Sequence, residues 1–161
     1  MLAKHERSLV RYTARLLYGD LERARDVAQE ALLRLCKERY EDVEGREAEW
    51  LHRVARNLAI DVRRKESRMT ALTEEDSQRT DERAGRPGEA LEHRDQVAHV
   101  LGRLESLPEK QREALRLKFQ SGLSYREIAG VMGESVGNVG WLIHMGIKGL
   151  RGRLAAEGAE L

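Results

Sequence analysis

Apolar residues recur along most of the chain at intervals of three and four, and no stretch alternates with the two-residue period of a strand. Leu9, Tyr12, Leu16 and Leu17 mark a first helix over residues 2–18, broken by Gly19-Asp20. Val27, Ala28, Ala31, Leu32 and Leu35 line one face of a second, over 21–39, with Asp26, Gln29, Glu30 and Arg34 on or beside the other. After an acidic loop, YEDVEGRE at 40–47, a third helix over 48–68 carries the stripe Trp50, Leu51, Val54, Leu58 and Val62. The pattern then lapses. Residues 69–89 hold few apolar side chains and end near Gly85-Arg86-Pro87-Gly88, which predicts a flexible, solvated linker. Helical spacing returns over 89–104 with Leu91, Val97, Val100, Leu101 and Leu104. A further helix has Pro108 in its first turn, carries Leu115, Leu117 and Phe119, and ends before Ser121-Gly122.

The stretch from Gly122 to Arg153 is the most informative. Ser124 is a good N-cap, and Glu127 three residues later completes a capping box. Ile128 and Met132 share a face of a short helix, and Gly133 stands where that helix must turn. Ser135 is a second N-cap, after which Val139, Leu142, Ile143, Ile147, Leu150 and Leu154 continue at helical spacing. Two capped helices joined at a glycine are how a recognition helix is aimed at a major groove. The same pattern also fits an αα-corner that only packs.

These elements predict an all-α protein of two small helical domains, residues 1–68 and 90–155, joined by the flexible linker 69–89. The length of 161 residues accommodates that, and 4% aromatic residues imply a core of Leu, Val, Ile and Ala. Net charge is only +1, without the basic excess of a free-standing DNA binder. It is unevenly spread: 16 basic and 13 acidic side chains in 1–68, 4 and 8 in 69–95, and 9 and 7 in 96–161. A single cysteine, Cys36, excludes an internal disulfide and reads as a small core or semi-buried residue. With no signal peptide or membrane-length apolar run, the expected location is cytoplasmic.

Four segments carry a family resemblance: DVAQEALLRL (26–35), EWLHRVARNLAIDVRRKESR (49–68), LESLPEKQREALRLKF (104–119) and GLSYREIAGVMG (122–133). Together, in this order, they resemble a bacterial RNA polymerase sigma factor of the extracytoplasmic-function (ECF) group of the sigma-70 family. The resemblance implies that the first block is a region-two domain that binds the polymerase clamp, on the beta-prime subunit, and the promoter −10 element. It implies that the last is a region-four domain that reads the −35 element and touches the beta flap. Core RNA polymerase and promoter DNA are then the partners, an anti-sigma factor is a candidate third, and no membrane, metal or cofactor is involved.

Carried over by position, Asp26, Gln29, Glu30 and Leu33 fall in the segment that meets the clamp. Arg53, Arg56, Asn57, Arg63 and Arg64 are the −10 candidates, since Arg and Asn can hold phosphates and read base edges. Asp61 matches the family's acid in this helix and is expected to orient a neighbouring Arg. Trp50 reads as a core residue. On the second helix of the helix-turn-helix, Ser135, Gly137, Asn138, Gly140, Trp141, His144 and Lys148 are the −35 candidates. Here the chain departs from the family's Arg-rich face: only Lys148, Arg151 and Arg153 bring charge, late in the helix. His144 reads equally as a surface histidine or a phosphate contact. Trp141 suits the polymerase, a base–sugar edge or the core. Gly137 and Gly140 are expected to let the helix backbone approach DNA, whereas Gly146, Gly149 and Gly152 read as tolerated surface positions.

The function that follows is a promoter-specificity subunit with no catalysis of its own. Two rivals are a stand-alone helix-turn-helix regulator, which leaves the Asp26 and Trp50 segments unexplained, and a metal-dependent nuclease built on His5, His52, His93, His99 or His144. None of these histidines has a ligand spacing such as HExxH.

Overall fold

The computed structural model describes residues 2–73 and 102–158, and among them every regular element is a helix. The expected linker beyond residue 73, and nearly all of the helix expected over 89–104, lie outside the described residues. The chain divides into two compact units, residues 1–86 and 87–161.

In the first unit, α1 (Leu2–Leu16), α2 (Leu21–Lys37) and α4 (Glu47–Thr73) each pack against the other two, with a single helical turn, α3 (Tyr40–Val43), between α2 and α4. Small residues set their spacing: Ala24, Ala28 and Ala31 of α2 and Ala55 and Ala59 of α4 are wholly buried, beside Leu9 and Leu51. Trp50 packs against this core from its margin, half-buried. Thr13 is buried in α1. Its hydroxyl donates to the carbonyl of Leu9 at 2.7 Å, so the polar group is satisfied within its own helix.

The turn after α1 has an unusual occupant. The amide of Gly19 bonds back to the Ala14 carbonyl at 2.7 Å, the six-to-one bond of a Schellman ending. The left-handed position of that motif is filled by Tyr18, at φ 57°, and not by the glycine that follows it at φ 88°. Asp20 then caps α2, accepting from the Arg23 amide at 3.1 Å.

Several expectations are corrected. The segment 40–47 is not wholly a loop, because buried Val43 anchors the turn of α3. Cys36 is exposed, one residue beyond the buried stripe that Leu35 closes. α4 runs five residues past 68, so its last turn contains no basic residue and the cluster from Arg63 to Arg68 does not serve as a dipole-matching helix end.

In the second unit α5 (Glu109–Phe119) packs on α6 (Tyr125–Met132) and α7 (Val136–Ala156), and α6 also packs on α7. Leu115, Leu117, Ile128, Val131, Val139, Leu142 and Ile143 fill the space between them. Pro108 stands at the N-cap of α5, one residue before the position expected. The capping box of α6 is complete: Ser124 Oγ accepts from the Glu127 amide at 3.1 Å, and Glu127 Oε1 accepts from the Ser124 amide at 2.9 Å. Gly133 ends α6 at φ 71°, and Ser135 caps α7 through the Asn138 amide at 3.0 Å.

Gly146 is not a surface position. It is buried, and a Cβ built there would lie 2.9 Å from Leu115 Cδ1; at Gly149 it would meet Leu107 Cδ2 at 3.1 Å, and at Gly152 nothing. Three glycines of one helix therefore respond differently to the same methyl. Gly152→Ala is expected to stabilise the chain by about 1 kcal/mol through helix propensity. Gly146→Ala is expected to cost about 1–3 kcal/mol net of that gain, because Leu115 must move. Thermal unfolding of the two variants checks both signs; an equal rise for both would show that the α5–α7 contact is loose.

Candidate nucleic-acid and partner interfaces

Asp26, Gln29, Glu30 and Leu33 are all exposed and spaced to share the outer face of α2. Leu33 is 59% exposed, an apolar side chain with no role in the core, flanked by acids. Glu30 accepts from Arg34 Nε at 2.9 Å, an exposed pair one turn apart. An apolar centre with an acidic and amide rim suits a protein partner better than DNA, whose phosphates the carboxylates repel. Beyond this helix, Tyr40 is exposed and donates its hydroxyl to Glu44 at 3.4 Å; the Glu44 charge holds the Tyr40 pKa above its usual value.

The −10 candidates lie along α4, where Arg53, Asn57 and Arg64 share one side of the helix. Asn57 and Arg64 are exposed, Arg53 and Arg56 are half-buried, and Arg53 stands 4.0 Å from Glu49. Asp61 is exposed and forms no ion pair with a described arginine, so it does not orient one as expected. A residue outside the predicted set has that role. Tyr18, in its left-handed conformation, accepts a hydrogen bond from Arg63 Nη2 at 2.6 Å and lies under the Arg63 guanidinium, 5.0 Å from ring centroid to Cζ. One turn further along α4, Glu66 pairs with Arg23 of α2. Arg63 is thus held from the α1–α2 turn. Neither periodicity nor motif spacing signals this; the only trace in the sequence is a tyrosine directly before the glycine of a helix end.

The −35 candidates lie on and beside the N-terminal half of α7. Gly137, Trp141, His144 and Lys148 are exposed, with Trp141 53% exposed, so Trp141 does not cover the core. Ser135 uses its hydroxyl to cap the helix. Asn138 is half-buried and donates Nδ2–H to Glu134 Oε1 at 2.6 Å. A Cβ on Gly140 would rest 3.6 Å from the ring of Tyr125, and on Gly137 it would meet nothing, so the protein itself requires a bare backbone at neither. Tyr125, which the sequence did not single out, sits at the start of α6 with the Lys118 ammonium 5.3 Å from its ring centre.

The histidines are dispersed. His52 is buried, donating Nδ1–H to the Ala48 carbonyl at 2.8 Å with Nε2 3.1 Å from Ser8 Oγ, which makes it a satisfied core residue. His5 is half-buried, and desolvation first of all lowers its pKa. His144 is exposed, and His93 and His99 lie outside the described residues. No group of three or more His, Cys, Asp or Glu among the described residues could hold a metal ion, and no described helix is long and apolar enough to cross a membrane.

Comparison with known families matches each block separately. Residues 2–69 match sigma-70 region 2, and residues 100–150 match sigma-70, region 4. The pair of matches defines a sigma-70-type protein. Full-length relatives narrow this. The ECF RNA polymerase sigma factor SigE of Mycolicibacterium smegmatis is 34% identical over 146 residues, 89% of this chain and 56% of that protein. SigL of Mycobacterium tuberculosis is 32% identical over 152 residues, covering 92% of this chain and 83% of SigL. SigX of Bacillus subtilis is 29% identical over 148 residues, 88% and 76%. The chain belongs to the ECF RNA polymerase sigma factors.

The Tyr18 turn yields a stability test. Tyr18→Ala keeps the left-handed strain and loses the Arg63 contact, whereas Tyr18→Gly loses the contact and relieves the strain. The Gly variant is therefore expected to be more stable than the Ala variant by roughly 1 kcal/mol. Denaturant unfolding of both measures the difference, and no difference would mean that the turn relaxes out of the left-handed region once the ring is gone.

Proposed function

We infer that this chain is a promoter-specificity subunit that binds core RNA polymerase through the outer face of α2, contacts the −10 element through α4, and reads the −35 element through α7. The observation that carries this is the division of labour between surfaces. An acid-rimmed apolar face on α2 and an Arg- and Asn-bearing face on α4 occupy a region 2 match, and a capped helix-turn-helix occupies a region 4 match. Asp26, Gln29, Glu30 and Leu33 supply a surface for the clamp of the beta-prime subunit. Arg53, Arg56, Asn57, Arg63 and Arg64 offer donors to phosphates and base edges near the −10 element, with Arg63 positioned by Tyr18. Gly137, Asn138, Trp141 and His144 are the groove-facing set of α7, Lys148 lies one turn further along, and the second unit also meets the beta flap. The chain needs no catalytic group, because the polymerase supplies the chemistry. A stand-alone helix-turn-helix regulator accounts for the second unit alone.

The polymerase face is separable from the fold. Asp26→Lys combined with Glu30→Lys is expected to leave helix content unchanged, because both carboxylates are exposed and the Glu30–Arg34 pair contributes at most about 1 kcal/mol. The same pair of changes should weaken binding to core polymerase tenfold or more, on the order of what truncating interfacial charge pairs costs. Titration of labelled protein with core polymerase measures it; undiminished affinity would remove α2 from the interface.

A further inference from the structure

Asn138 stands at the third residue of α7, where the recognition helix of a helix-turn-helix meets base edges. Its backbone is fixed by the bond from its amide to Ser135 Oγ at 3.0 Å. Its side chain is fixed as well: Nδ2–H donates to Glu134 Oε1 at 2.6 Å. A carboxylate accepts and does not donate, so the identity of the amide atom facing Glu134 is set by chemistry. Glu134 is in turn held by the Lys110 ammonium, 2.8 Å from Oε2, and its side chain is only 16% exposed. The ammonium cancels a negative charge that would otherwise stand at the mouth of the groove and repel phosphate. The remaining amide atom, Asn138 Oδ1, accepts no hydrogen bond from a described residue.

An unconstrained asparagine bridges adenine with both amide atoms, accepting from N6 and donating to N7. Here the donor is engaged by Glu134. We propose that Asn138 reads the −35 element as an acceptor only, favouring the two bases that present an amino group in the major groove, adenine and cytosine, over guanine and thymine. Glu134 is the positioning residue that sets this polarity. In the major groove adenine N6 and cytosine N4 donate, whereas guanine N7 and O6 and thymine O4 accept and are repelled by Oδ1. The outcome is a position of the element that is degenerate between adenine and cytosine on one strand. This rests on the reading that α7 enters the promoter major groove.

The experiment is a fully randomised −35 element transcribed by core polymerase loaded with the whole chain, with the transcribed templates sequenced. For the wild type, one position should favour adenine and cytosine over guanine and thymine by roughly fivefold, the value of a single neutral hydrogen bond. Asn138→Ala should flatten that position and leave the others as they were. Glu134→Ala releases the amide to turn, so guanine and thymine should gain at the same position until the preference falls below about twofold. Glu134→Gln keeps an acceptor towards Asn138 and should retain the wild-type profile, which separates orientation from folding. A guanine or thymine preference at the position that Asn138→Ala flattens would overturn the proposal. So would an unchanged profile in Asn138→Ala, or an intact adenine and cytosine preference in Glu134→Ala. A wild type indifferent to every −35 position would instead overturn the promoter-reading function itself.

Discussion

Both units depend on helices that approach closely at small residues. With few aromatic side chains to fill space, the core of the first unit closes on Ala24, Ala28, Ala31, Ala55 and Ala59, and α7 of the second closes on α5 at Gly146. A small residue at a helix contact contributes little buried area itself but lets larger neighbours reach across and meet. The geometry is therefore intolerant of added volume. That intolerance serves the function, because the faces bearing Asp26, Arg53 and Trp141 are the outer sides of the same helices. Their positions are fixed by contacts that the functional side chains do not make.

Charge is managed locally. The molecule carries nearly equal numbers of acids and bases, and many acids in the described units stand within reach of a base: Glu30 with Arg34, Glu66 with Arg23, Glu105 with Arg116, Glu134 with Lys110. Exposed pairs of this kind add little stability. Their effect is to fix side-chain direction and to quiet carboxylates that would otherwise repel DNA. Arg63 shows the same logic with an aromatic partner. Tyr18 supplies an acceptor and a ring face and adds no competing negative charge, and the backbone tolerates an unfavourable φ to put it there.

What could be read from the sequence was what is encoded within a turn or two of helix. The capping box at Ser124, the stop at Gly133, the cap at Ser135 and the stripes of α1, α2 and α4 all arise from contacts between residues three or four apart. The exposure of Asp26, Gln29, Glu30 and Leu33 followed from the same periodicity. What could not be read was set by contacts between distant segments. Gly146 reads as a weak helix residue until Leu115, from another helix, is seen against it. Tyr18 gains its role only from Arg63, 45 positions away. Cys36 sits one step off the buried stripe, an offset that composition cannot resolve. The extension of α4 past residue 68 was missed because polar residues such as Ser67 and Thr70 look like a boundary when nothing local stops the helix.

The absence of lysine and arginine between Val136 and Ile147 bears on how such a protein is shared out inside a cell. Affinity for arbitrary DNA grows with the number of phosphates neutralised, and a genome offers a vast excess of arbitrary sites. A helix that enters a groove without cations in its leading turns gains little from any sequence it does not recognise. Free copies are then not soaked up by bulk chromosome, and polymerase need not compete with it for them. Scarcity of charge on the reading head keeps the pool of unassigned protein available to the enzyme it serves.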